Sequence, residues 1–336
     1  MLQALNDLNA SAVDWWFIYK MPDNIGPDSD TKGDEYLYYD PETGKGLTKS
    51  DKVLDKGQSA LDVTLEQVFN SKGMEDGNSY ILYNDEKPDS DKNRSSCGHC
   101  KGILAFNKKN NTGFYLLHST PRYPLDKKSE LPSNELIYGQ TYICVTLPDY
   151  ETANRIAEVL RTQHEPQVYT THLSEDITKD ESVYKLGSNN NTPEPEEPTF
   201  ISFKSKAGKE FQLAGKNRKW GKDFWIDLIG PHLGVSLNVE SWRRGASPGN
   251  EDSDGKDETL NAQNIDFTSV GLKDYTFHYT KDHSKWGVST DAANPWVCIA
   301  DINRMVSQEK RGGGALIFQE EQLWKNLKSV ENTDTK

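Results

Sequence analysis

Dense runs of aliphatic and aromatic residues alternate with polar, glycine- and asparagine-rich stretches along this chain. Val13-Asp14-Trp15-Trp16-Phe17-Ile18-Tyr19, Ser79-Tyr80-Ile81-Leu82-Tyr83 and Thr141-Tyr142-Ile143-Cys144-Val145-Thr146-Leu147 are short and rich in β-branched and aromatic side chains, which predicts buried strands. A different period appears at Ala153, Ile156, Ala157 and Leu160, where i, i+3, i+4, i+7 spacing puts all four on one helix face. Leu61, Leu65, Val68 and Phe69 repeat it. Leu323, Leu327 and Val330 with Trp324 predict a last amphipathic helix after Ala315-Leu316-Ile317-Phe318. Strands and helices mix throughout, an α/β pattern.

Gly187 to Pro198 has the Pro, Asn and acidic composition of a solvated connector. It divides the chain into a first half at 12–186, a linker at 187–198 and a second half at 199–330. Another polar stretch, Gly245 to about Asn261, reads as a mobile loop. The halves share one local pattern. His99-Cys100-Lys101 leads into Gly102-Ile103-Leu104-Ala105-Phe106, a turn, and Gly113 to Ser119. His283-Ser284-Lys285 leads into Trp286-Gly287-Val288-Ser289, a turn, and Trp296 to Asn303. Each predicts a hairpin, and Ser119 and Asn303 both fall 18 positions after their lysine, which pairs them as equivalents.

The 15 tyrosines, 11 phenylalanines and 8 tryptophans give the chain the means to bury a core despite its low apolar fraction of 34%. The net charge of −13 speaks against a generic nucleic-acid binder, because phosphate contacts need Lys or Arg. Protonation in acid, and the placing of carboxylates in loops such as Glu251-Asp252-Ser253-Asp254 and Glu194-Pro195-Glu196-Glu197, soften that objection. Residues 1–18 hold no Lys or Arg and no long apolar run, so neither a signal peptide nor a membrane helix is expected. Four cysteines, Cys97, Cys100, Cys144 and Cys298, are too few for a disulfide scaffold. The Asn-x-Ser/Thr matches at Asn9, Asn93, Asn110 and Asn190 are chance-level.

In extended chain, residues i and i+2 face one side, so each H-x-K points an imidazole and an ammonium group together. Two such segments side by side suit a phosphodiester. One neutral imidazole attacks phosphorus, the other delivers a proton to the leaving oxygen, and Lys101 and Lys285 neutralise the nonbridging oxygens. No metal and no cofactor is then required. Taken singly, His164, His172, His232 and His278 read as surface or core residues. Gly312-Gly313-Gly314 reads as a tight backbone approach. For DNA contact the candidates are Lys216, Arg218, Lys219, Trp220 and Lys222, with Trp242 and Arg243 as a second group.

These motifs resemble the phospholipase D-like superfamily, and the blocks around them resemble deoxyribonuclease II, including bacterial members. The similar stretches are Val13 to Lys20, Tyr36-Leu37-Tyr38-Tyr39-Asp40, Ser96 to Gly102, His118-Ser119-Thr120-Pro121 and Tyr138-Gly139-Gln140-Thr141. They continue through Asp282 to Trp286, Asp301-Ile302-Asn303-Arg304 and Arg311-Gly312-Gly313-Gly314. The resemblance implies two pseudo-repeated halves, each a mixed β-sheet flanked by helices, and an acid endonuclease leaving 3′-phosphate and 5′-hydroxyl ends through a phosphohistidine. By that analogy His99 is the nucleophile, His283 the acid, His118 a supporting residue and Ser119 a substrate contact. Asn303 is similar to an asparagine of the tyrosyl-DNA phosphodiesterase variant. The superfamily's Asp five positions after each lysine is replaced by Phe106 and Thr290, and the family cysteine that would pair with Cys144 is missing.

The implied partner is DNA, read with weak sequence specificity; no membrane partner is implied, and a homodimer is compatible with the sequence. Eukaryotic relatives are lysosomal, whereas a bacterial one would be secreted or periplasmic. Two other functions compete. The same four residues would serve a phospholipase or another phosphodiesterase. Cys97-Gly98-His99-Cys100 spells a thiol–disulfide oxidoreductase motif, whose chemistry needs the first cysteine at a helix N-terminus; the sequence after it reads instead as a strand.

Overall fold

The computed structural model describes residues 1–70, 76–88, 96–125, 128–250, 255 and 257–333. Asn93 and part of the Gly245 to Asn261 stretch, including Glu251 to Asp254, lie outside the described residues.

The aromatic runs form the strands of two large sheets. In the first are β1 (Trp15–Lys20), β2 (Glu35–Tyr39), β3 (Thr48–Val53), β4 (Ser79–Asn84), β5 (Lys101–Asn107), β6 (Thr112–His118), β7 (Gln140–Leu147) and β8 (Val168–His172). Among the described residues their order is β8-β4-β5-β6-β7-β1-β2-β3. In the second are β9 (Thr199–Lys204), β10 (Glu210–Lys216), β11 (Leu237–Ser241), β12 (Thr259–Asp266), β13 (Thr276–His278), β14 (Lys285–Ser289), β15 (Trp296–Ala300) and β16 (Gly313–Gln319), with β17 (Glu331–Thr333) beside β12. Their order is β9-β10-β16-β15-β14-β11-β12-β13.

The first sheet is antiparallel at every pairing, not mixed as expected. Hairpin-type returns join β1 to β2 to β3 and β4 through β7, while the links from β3 to β4 and from β7 to β8 carry the chain across the sheet and bring each strand in antiparallel to its neighbour. The second sheet is mixed through one parallel pair, β11 with β12, whose crossover is the long segment between Ser241 and Thr259.

Five strands recur in the same spatial order, chain order and antiparallel sense. They are β4-β5-β6-β7-β1 in the first sheet and β11-β14-β15-β16-β10 in the second.

The longer α-helices among the described residues are α1 (Ala60–Phe69), α2 (Tyr150–Val159), α3 (Ser182–Gly187) and α4 (Glu321–Val330). Ser59 caps α1 in a reciprocal box with Asp62, so its first turn is satisfied locally. The face bearing Leu61, Leu65 and Val68 covers the outer side of the first sheet. Inner faces of both sheets share one core, in which Trp15 meets Phe318 at 5.1 Å and Phe211 at 6.0 Å. α2, α3 and α4 pack their apolar stripes into that core. Each fully buried aromatic there contributes roughly 2–3 kcal/mol by area, enough to hold the halves together. The helical segment around Trp225 covers the second sheet's other face. The stretch from Ser188 to Pro198 carries no regular element.

Candidate active site

β5 begins at Lys101 and β14 at Lys285, so the lysines belong to the strands, while His99 and His283 lie just ahead in the incoming chain. All four line one cavity of about 350 Å³.

Each histidine is anchored by the opposite half. His99 N donates to Gly312 O at 2.8 Å, and His99 Nδ1 lies 2.6 Å from Asp301 O. His283 N donates to Gly139 O at 2.8 Å, and its Nδ1 lies 3.2 Å from Glu135 Oε2. A ring nitrogen facing a backbone carbonyl carries the proton, so His99 Nε2 presents its lone pair. His283 Nδ1 instead faces the Glu135 carboxyl group, with which it can share a proton.

The surroundings of the two rings differ. Near His99, Lys101 Nζ donates to Asp85 Oδ1 and Arg311 Nη2 lies 3.0 Å from Asp85 Oδ2. His99 Nε2 is 4.0 Å from the same carboxylate. Burial opposes ionisation of Asp85, but Lys101, His99 and Arg311 outweigh it and hold the carboxyl far below its ordinary value. His283 instead stacks on Tyr138, ring centroids 3.7 Å apart, and meets Trp242 edgewise at 4.6 Å.

Burial, then the Lys101 charge, holds His99 well below an ordinary imidazole. Burial, then Lys285, pushes His283 down to about 2. Lys285 itself is pushed down to about 7, by burial and then Lys101. Glu135 is pushed up to about 7, by burial and then Glu86.

Ser119 lines the cavity; its Oγ donates to Gln140 Oε1 at 2.6 Å and accepts from Thr141 N at 2.9 Å. Strand register gives it a different partner from the one expected. Gly102 pairs with Leu117, whereas Trp286 pairs with Ile299, so the second hairpin is two residues shorter. Asp301 is therefore the equivalent of Ser119, and its Oδ1 accepts from Gly314 N at 2.7 Å as Ser119 accepts from Thr141. Asn303 is buried, does not line the cavity, and its Oδ1 finds no partner among the described residues. His118 is buried beside Tyr142, accepts from Thr120 N at 3.2 Å, and also does not line the cavity.

None of the basic stretch lines this cavity. Lys216 is fully buried and donates to Gln308 O, Glu309 O and Arg311 O at 3.1, 2.9 and 2.7 Å, so it has no free donor to offer a substrate. Arg218 lies 3.4 Å from Glu165, Lys219 pairs with Glu194, and Lys222 stands over Trp220 at 5.7 Å. In the second group, Trp242 and Arg244 line the cavity, while Arg243 is buried, donates to Ser241 O and Ala262 O, and stands over Tyr279. Extended chain alternates sides, so Arg243 cannot share a face with Trp242.

Gly312 and Gly314 are close-approach positions: a Cβ on Gly314 would sit 2.3 Å from His164 Nε2, and one on Gly312 2.5 Å from His164 O. His164 in turn lies 3.3 Å from Asp301 Oδ2, behind the carbonyl that holds His99. Sequence reasoning gave His164 no part, and missed Asp85, Glu135 and Tyr138; Arg244 stood in the Trp242-Arg243-Arg244 run it offered for DNA contact. Arg311 and Tyr138 were at least visible inside the blocks that carry the resemblance.

Cys97 and Cys100 are free thiols. Burial raises both, and strand β5 rather than a helix follows them, the opposite of what a reactive thiolate needs.

The family model described as Deoxyribonuclease II matches residues 6–335. A Burkholderia pseudomallei protein named "Putative deoxyribonuclease-2" is 42% identical over 325 residues, covering 95% of this chain and 90% of the relative. Deoxyribonuclease-2-alpha of Rattus norvegicus is 34% identical, with 95% of this chain and 90% of the relative covered. Plancitoxin-1 of Acanthaster planci is 32% identical, with 91% and 85% covered. With the match spanning both halves and both histidine segments, the chain belongs to the deoxyribonuclease II family.

Proposed function

We propose that the protein is an endodeoxyribonuclease that works without a metal at acid pH, on a duplicated phospholipase D-like scaffold. The observation that carries this reading is the single cavity holding two histidines, each fixed by the opposite half, and two lysines. DNA as the substrate follows from the family.

His99 Nε2 attacks phosphorus, and the bond from phosphorus to the 5′-oxygen breaks. The proton on His283 Nε2 goes to that oxygen, giving a 5′-hydroxyl end and a phosphohistidine on His99. Neutral His283 then takes a proton from water, whose oxygen attacks phosphorus and releases His99 and a 3′-phosphate end. Lys101 and Lys285 neutralise the nonbridging oxygens, the work a divalent ion does elsewhere. The acid preference comes from the dyad of His283 and Glu135. Burial keeps the Glu135 proton until about pH 7, and without that proton the dyad has none to give.

The test is plasmid DNA with EDTA at about pH 5. Cleavage is expected, and loss of it in both His99→Ala and His283→Ala. Intact plasmid with the wild-type protein would refute the reading.

A further inference from the structure

The strand register aligns the surroundings of the two histidines position by position. Lys101 pairs with Asn84 as Lys285 pairs with Ser241, so the next residues, Asp85 and Trp242, are equivalent. Gly139 and Gly312, which accept from the two histidine amides, are equivalent as well, and so are the residues just before them, Tyr138 with Arg311 and Ile137 with Lys310. Lys101 and Lys285 match, but Asp85, Arg311 and Lys310 on the His99 side answer to Trp242, Tyr138 and Ile137 on the His283 side.

That side is also open. Trp242 is half-buried, Arg244 is exposed with its guanidinium 4.8 Å over the Trp242 ring, and Ile137 is 42% exposed at the same cavity. An exposed aliphatic side chain beside an aromatic ring and a planar cation is the equipment for stacking a base, and for wedging into a base step. Among the described residues, the charged side of the cavity, with Asp85, Lys101 and Arg311, offers no aromatic ring to stack on.

We propose that Ile137, Trp242 and Arg244 form a subsite for one unstacked nucleobase, that of the nucleotide whose 5′-oxygen leaves. The placing rests on the nuclease reading above, in which His283 protonates that oxygen, so the leaving nucleoside lies on the His283 side. A base within a duplex presents only its edges, so the subsite favours single-stranded or locally opened DNA.

The experiment uses a single-stranded octamer in which every linkage but the central one is methylphosphonate. It is made with either a thymidine or an abasic residue on the 3′ side of the cleavable bond. Stacking of one base is worth about a tenfold preference in kcat/KM, so the wild-type protein should favour thymidine by that factor. Trp242→Ala should bring the ratio close to one by slowing the thymidine substrate, Trp242→Phe should keep most of it, and Ile137→Ala should reduce it several-fold. Ile137 is at the surface, so that variant keeps the test open if the tryptophan variants fold poorly. A wild-type protein without preference, or variants that slow both octamers equally, would overturn the subsite. A wild-type protein that leaves plasmid DNA intact instead sinks the nuclease reading, and the subsite with it.

Discussion

Lys20 and Lys216 are the same residue in two copies of one device. Lys20 ends β1 opposite Gln140, and Lys216 ends β10 opposite Gly313. Both are fully buried, and each donates at 2.7 Å to the carbonyl one residue before an anchoring glycine, Tyr138 O before Gly139 and Arg311 O before Gly312. Burial pushes Lys20 down to about 7 and Lys216 to about 8, so each ammonium is held at a cost by carbonyls. Gly139 holds His283 and Gly312 holds His99. Each lysine thus positions the histidine of the opposite half.

Lys20→Met and Lys216→Met should separate the two histidines' roles. With 4-nitrophenolate as leaving group no proton is required, so Lys20→Met, acting through the acid, should cleave thymidine 3′-(4-nitrophenyl phosphate) far better than DNA relative to wild type. Lys216→Met, acting through the nucleophile, should be equally slow on both. Equal losses on both substrates for both variants would mean that the lysines hold the fold alone.

Glu135→Gln keeps the shape of the dyad and removes its titrating carboxyl. The expected loss on DNA is about 100-fold in kcat, the low end of what a positioned acid supplies. The loss on the nitrophenyl ester should be much smaller. Activity on DNA should also stop falling through pH 7, because the group pushed up to about 7 is gone. An unchanged pH profile would remove Glu135 from the mechanism.

The hairpins and both H-x-K segments were legible because they are local: a strand's period and a tight turn are written within some twenty residues. What could not be read was pairing across strands. Asp85 lies about a dozen positions before His99, and Glu135 reaches His283 from the other half, so neither announces its partner. Counting from the lysines aligned Ser119 with Asn303, but the turns differ in length, and only hydrogen-bonded register shows Asp301 in that place. The choice between Arg243 and Arg244 was within reach, since alternation along extended chain puts Trp242 and Arg244 on one side. Lys216 was misleading for a physical reason: a lysine in a basic run looks solvated until its carbonyl cage is seen.

The free protein should lose stability in acid and recover it with an anion. His99, His118 and His283 are all held below the unfolded value near 6.5, so the unfolded chain binds more protons and stability falls as pH drops below about 6.5. Glu135 acts the other way, its raised value removing stability as pH rises from about 4.5 to about 7. Buried Glu240 and Asp282 are raised as Glu135 is, but within the cavity two histidines stand against one raised carboxyl group, so the cavity itself contributes a fall toward acid. An anion in the cavity favours the protonated forms, so sulfate, which keeps its charge from pH 8 to 5, should bind about tenfold tighter per pH unit for each proton taken up. Calorimetry in two buffers of different ionisation enthalpy measures that uptake; binding independent of pH would contradict it.

Asp85 is the buried carboxylate that answers two cations beside His99, Lys101 and Arg311. It is held far below its ordinary value, so its contribution is present above the unfolded value near 3.9 and is lost only below it, as pH falls toward the folded value. The pair with Lys101 therefore survives at the acid pH where the nuclease is proposed to act. Asp85→Asn leaves Lys101 and Arg311 buried without their counter-charge, which should cost about 3 kcal/mol. Thermal melts at pH 5 and pH 7 should show a similar loss in both, since Asp85 is ionised at both. At pH 3 the gap between variant and wild type should narrow. A gap already closed at pH 5 would mean that Asp85 is protonated there, and that Lys101 is held by something other than its charge.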